Sequence, residues 1–249
     1  MSDRLRRAPS AANRHGHEAP GIGFATLSEG AMAPSTACTS RSTILLATAN
    51  AADSDARFLL DEEARAIEDA LQRARHRDHY DLRSVHAVTF DDLLHRLDDL
   101  APRVLHFAGR GDGGGILIFK RPGGTDHRIP PEILCRLFAQ FQRPPDLVVI
   151  AACHSADLAR HIASHVGHAI GFAGPLRDQA ARHFSAVFYE RLAAHASPDI
   201  PRIFALAQLA AATAGYAEVE SACLFDHAIS PVECTPSTAR ASASRRCFW

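Results

Sequence analysis

The sequence predicts an α/β protein: one domain built on a mostly parallel sheet, with helices covering it. Short apolar runs of strand length alternate with longer stretches whose apolar residues recur every three or four positions. That alternation is the mark of strand–helix–strand units, which lay successive strands parallel. The 249 residues are enough for one sizeable domain of this kind.

The first run, "TILLATA" (43–49), is a strand. In the segment after it, 55–78, Leu60, Ala64, Ile67, Leu71 and Ala74 fall on one helical stripe. Carboxylates stand early in that helix and arginines late, as the helix dipole favours, so it is a surface helix with its stripe on the sheet. "SVHAVTF" (84–90) is the next expected strand, and Asp91 the expected cap of the helix "DLLHRLDDL". "RVLHFAG" (103–109) and "GILIFK" (115–120) follow as strands. Two prolines suit the start of the helix "PPEILCRLFAQF", where a missing N–H removes no helical bond. "DLVVIAAC" (146–153) is the most apolar strand, and Ser155 is placed to cap the helix "ADLARHIASHV". "HAIGFAG" (168–174), helices over 177–196 and 200–215, and a short strand near "SACLF" complete the domain.

Residues 1–42 and 231–249 have no lasting apolar period and are expected to be disordered on either side of a domain at 43–230. The N-terminal charge is not followed by an apolar core, so no secretory signal is expected. No apolar run nears the roughly 20 residues that span a bilayer. A net charge of −1 gives no reason to expect nucleic acid or an anionic membrane as a partner. Six cysteines without a C-x-x-C pair are expected to be reduced, as in a cytoplasm.

Sites in parallel sheets lie beyond the carboxyl ends of the strands. Two strand ends carry chemistry here and are expected on one rim: Gly109–Gly111 after "VLHFA", and Cys153 after "LVVIAA". The stretch "HFAGRGDGGG" (106–115) contains G-x-G-x-x-G, the spacing that lets a backbone approach a pyrophosphate. A dinucleotide site needs a helix directly after the glycines. A strand pattern follows instead, and a glycine-rich turn between two strands is the plainer account. Cys153 has two readings. A thiol at a helix start is acidified by unpaired N–H groups and becomes a nucleophile; a cysteine ending a buried strand also serves as a small, inert hydrophobe.

"LHFAGRG", followed by "VVIAACHSA" with Cys153 standing 43 positions after Arg110, resembles the caspase-like peptidases and specifically their CHAT domains. "ILLATAN" and "IGFAGPLRDQAARHFSAVFYERL" fit the same pattern, and the resemblance covers roughly residues 43–228. It implies a caspase-like three-layer sandwich and a cysteine endopeptidase acting on a protein or peptide substrate. The Cys153 thiolate attacks the carbonyl, backbone N–H groups of Cys153 and Gly111 hold the oxyanion, and a histidine in a G-H-G turn protonates the leaving amine. A role in bacterial defence or regulated proteolysis beside a sensor or regulatory protein is implied as well.

At the histidine position this sequence has Arg110. A guanidinium keeps its proton at neutral pH, so it can hold a thiolate ionised but cannot act as general acid. Loss of that help costs roughly 10²–10⁴ in rate. His106 is expected to pack inside the sheet and His154 to point away along the next helix. An impaired or inactive peptidase is therefore expected, with a catalytically dead protein-interaction module as the alternative. Basic-specific relatives carry an acid two residues before the cysteine, where this chain has Ala151. Asp53 and Asp178 are the carboxylates placed to line a substrate pocket, although Asp178 equally suits the first turn of a helix with no substrate involved. His161 and His165 lack the glutamate of H-E-x-x-H, so neither a metal nor another cofactor is expected.

Overall fold

The structure is a computed structural model and describes residues 41–49, 54–112 and 114–227. In chain order the elements are β1 (Ser42–Thr48), α1 (Ser54–Arg73), β2 (Tyr80–Val85), α2 (Phe90–Leu100), β3 (Val104–Ala108), β4 (Arg110–Gly111), β5 (Leu117–Lys120) and β6 (Asp126–Ile129). They continue with α3 (Pro131–Phe138), β7 (Leu147–Ala151), α4 (Ala156–Ile162), β8 (His168–Phe172), α5 (Asp178–Leu192), α6 (Ile200–Thr213) and β9 (Ala222–Asp226). Six strands form one sheet in the order β2-β1-β3-β7-β8-β9, and β4, β5 and β6 form a small antiparallel sheet beside it. In the large sheet every pairing is parallel except that of β8 with β9. The predicted fold class is therefore the observed one.

Side chains alternate across each strand, so the sheet has two apolar faces and two cores. On one face Ile44, Leu46, Val149 and Ile170 pack against the stripes of α1, α5 and α6. On the other, Leu45, Leu105, Val148 and Ile150 meet α2, α3, α4 and the small sheet. The result is three layers. The three central strands, β1, β3 and β7, are apolar on both faces because each face is covered.

The structure corrects the sequence expectation in several places. The strand expected over 84–90 lies earlier, at Tyr80–Val85, because Ala87 takes a left-handed backbone (φ 55°) that breaks any extended run. The cap of α2 is Thr89, whose hydroxyl accepts from Asp92 N–H while the Asp92 carboxylate accepts from Thr89 N–H. The strand expected at 115–120 is present as β5, with two unexpected partners in β4 and β6. The segments expected to be disordered, 1–42 and 231–249, lie outside the described residues except for Arg41 and Ser42, and Ser42 already belongs to β1.

Ser155 precedes α4 but does not cap it by its side chain. Its buried hydroxyl shares its one proton between the carbonyls of Ile150 (2.9 Å) and Ala152 (2.8 Å) and accepts the Phe172 N–H at 3.0 Å. It ties the end of β7 to the end of β8, below the rim where Cys153 stands. Ser155→Ala leaves a buried N–H without its acceptor. The variant is expected to lose about 1–3 kcal/mol of unfolding free energy in a urea titration, with the far-UV spectrum unchanged.

Candidate active site

The pairing of β3 with β7 builds the rim. Ala108 lies opposite Ala151, and the next residue, Gly109, donates its N–H to Ala151 O at 3.3 Å. The Gly109–Arg110–Gly111 turn is thus carried to the end of β7 beside Cys153. Contact is tight: a Cβ on Gly111 would stand 2.4 Å from the Cys153 carbonyl oxygen, so only glycine fits. Arg110 and Gly111 then pair with Ile118 and Leu117, and an Asp112–Arg128 ion pair joins the far end of the turn to β6. Since these glycines lead into a hairpin and not a helix, the context of a pyrophosphate loop is missing.

Cys153 is 2% exposed and faces the core shared with α5. Its sulfur lies against the loop that precedes α5. It accepts the Leu176 N–H at 3.2 Å and lies 3.6 Å from the Leu176 carbonyl oxygen. His154 has a left-handed backbone (φ 53°), an uncommon state for a side chain other than glycine's. Two bonds hold it there, from its N–H to Gly174 O (3.1 Å) and from Nδ1–H to Ala173 O (3.1 Å). The side chain thus bonds back to the loop after β8 and does not run along α4. Strained backbone of this kind gathers at functional sites.

Arg110 is half-buried, and no carboxylate among the described residues pairs with it within 4.0 Å. His106 does not replace the missing proton donor. It is 0% exposed, with Nδ1 3.1 Å from the Tyr189 hydroxyl and Nε2 3.2 Å from Glu63 Oε1, the latter off the line of a hydrogen bond. Burial and the Glu63 charge push the Tyr189 phenol well above its ordinary range, so its O–H stays a donor and Nδ1 accepts. Ser185 Oγ donates to Glu63 Oε1 at 2.8 Å. His106 pairs with Val149, four residues before Cys153, which is about 13 Å along a strand.

Asp178 opens α5, two residues after Leu176. It is half-buried, and its Oδ1 has no hydrogen-bond partner among the described residues. Burial, helped by the nearby Glu63 charge, raises its carboxyl to about 6. Asp53 lies outside the described residues. His161 donates through Nδ1–H to Asp157 O at 2.6 Å on its own helix, and among the described residues no three metal-ligating side chains converge. No described helix is long and apolar enough to cross a membrane. Sequence reasoning missed Leu176, Glu63 and Tyr189, and nothing in their spacing marks them, because each acts through a contact distant in the chain.

No protein-family model matches the chain. A sequence relative, a probable protease of Gillisia limnaea, is 28% identical over 141 residues, covering 55% of this chain. The match covers 25% of that protein, so the chain spans about a quarter of its relative's length. Among solved structures, the Drosophila initiator caspase Dronc is similar at a TM-score of 0.43 and 11% identity, covering 70% of this chain and 73% of the caspase.

The raised Asp178 carboxyl has a signed consequence. The folded chain binds that proton more tightly than the unfolded one, so its contribution is fully present below the ordinary carboxylate value and lost as pH rises through about 6. Asp178→Asn is therefore expected to raise the melting temperature at pH 7.5 and to leave it unchanged below pH 4. Thermal melts across that range check this.

Proposed function

We propose that the chain is a caspase-like, CHAT-type cysteine endopeptidase scaffold acting on protein or peptide substrates through Cys153, its activity held down by Arg110. The observation that carries this is the meeting of the Gly109–Gly111 turn with the Cys153 end of β7, on the rim where parallel sheets bind their ligands. The relative described as a probable protease supports it. In this reading the Cys153 thiolate adds to a substrate carbonyl, N–H groups of Cys153 and Gly111 hold the oxyanion, and Arg110 stabilises the thiolate. The same reading assigns Asp178, and Asp53 outside the described residues, to substrate binding. A cytoplasmic setting and a sensor or regulatory partner in a bacterial defence or signalling system belong to the same proposal.

Departure of the amine needs a proton, and Arg110 does not give one. The site can bind a peptide and polarise its carbonyl, while collapse to the acyl-enzyme is slow. One observation favours a second reading, in which the groove binds protein without cutting it: the Cys153 thiol is shut off from solvent.

Digestion of a mixed peptide library, read by mass spectrometry, separates the two. Cys153→Ala is expected to abolish any cleavage, and Arg110→His to raise it by about 10²–10⁴-fold. Silence from the natural chain and from Arg110→His together favours the binding module over a peptidase whose thiol is open to substrate.

A further inference from the structure

Between β8 and α5 the chain runs through Ala173, Gly174, Pro175, Leu176 and Arg177. Of these five only Leu176 is buried, at 3% exposure, and it sits on the Cys153 thiol. Its N–H points at the Cys153 sulfur, 3.2 Å away, and its carbonyl oxygen lies 3.6 Å from the same atom. The Leu176 backbone therefore holds the sulfur by both its N–H and its carbonyl. The ends of the segment are fastened separately. Ala173 N–H bonds to Ser221 O at 2.8 Å, and His154 grips Gly174 O and Ala173 O from below. At the other end Arg177 makes a two-pronged pair with Glu218, its Nε 2.5 Å from Oε1 and its second guanidinium nitrogen 3.0 Å from Oε2.

These contacts differ in strength. The pair with Glu218 is exposed on the arginine side and contributes little, whereas the Leu176 side chain is buried in apolar surroundings. The four other residues make surface contacts that water can replace. A segment fastened by one apolar plug, one exposed ion pair and a few backbone hydrogen bonds opens locally at lower cost than the sheet beneath it.

We propose that the Ala173–Arg177 segment is an autoinhibitory strap: Leu176 plugs the entrance to Cys153, and the strap must lift, opening the Arg177–Glu218 clasp, before the thiol reacts. It rests on Cys153 being the nucleophile proposed above. The strap also accounts for a thiol that stands at the functional rim of the sheet and yet is closed to solvent.

The test is the rate of carboxamidomethylation of each cysteine by iodoacetamide in the native chain, followed by peptide mass spectrometry. Cys135, also 2% exposed but on α3 in the opposite core, reports general loosening. In the natural chain Cys153 is expected to react as slowly as Cys135. Leu176→Ala removes most of the plug, and Glu218→Arg turns the clasp into a repulsion. Each is expected to speed Cys153 by about tenfold or more while Cys135 keeps its rate. The proposal is overturned if Cys153 of the natural chain already reacts like an exposed thiol, if either variant leaves its rate unchanged, or if both cysteines accelerate together. No peptide is present in this experiment. A strap that opens in a chain that cuts nothing is therefore distinguished from a peptidase that has no strap.

Discussion

The pairing of β3 with β7 at the centre of the sheet fixes where every group at the rim stands. Its register places Ala108 beside Ala151, and from there the Gly109–Gly111 turn has no course except against the Cys153 carbonyl. The close approach excludes any side chain at position 111, so the turn is held by sterics as well as by hydrogen bonds. The register itself is set by burial: both strands are buried on both faces and apolar except for His106, and a slip of one residue would bring His106 to the α2–α4 core. The geometry of the rim and the packing of the core are thus one constraint.

Beneath the rim lies a polar cluster that the sheet encloses. Glu63, His106, Tyr189 and Ser185 join α1, β3 and α5 through contacts of 2.8–3.2 Å. Such a cluster is costly to bury and strongly destabilising to break. Tyr189 bonds His106 and Ser185 bonds Glu63, so His106 is held inside the core and is not a proton donor at the rim. The negative charge of Glu63 reaches Asp178, the acid closest along the chain to the strap.

Much of this was legible in the sequence where apolar patterning decides the outcome. "DLVVIAAC" reads as a central strand because nothing in it can face water, and α1 reads from its stripe. β2 was misplaced because "YDLRSV" is an edge strand, half exposed and polar, while the more apolar "HAV" beside it is broken by the backbone at Ala87. β4 and β6 are too short and polar to carry a period. At the site, the shared rim of Gly109–Gly111 and Cys153 followed from strand order. The direction of the thiol did not, since it depends on Leu176, 23 residues further on. Ser155 shows the same limit: a residue of capping type before a helix instead ties two strands together.

The central claim is that Cys153 is a nucleophile served by the turn beside it. Incubation with a set of peptidyl chloromethyl ketones, followed by mapping of the adducts, tests it most directly. Attack by a thiolate expels chloride and leaves a stable thioether, and no general acid is needed, so Arg110 does not mask the result. In Leu176→Ala, where the thiol is uncovered, a single adduct on Cys153, slowed by competing peptide and lost when Cys153→Ala is added, is the predicted result. Adducts spread over Cys135 and Cys223, or none at Cys153 after Leu176→Ala has uncovered it, would contradict the account.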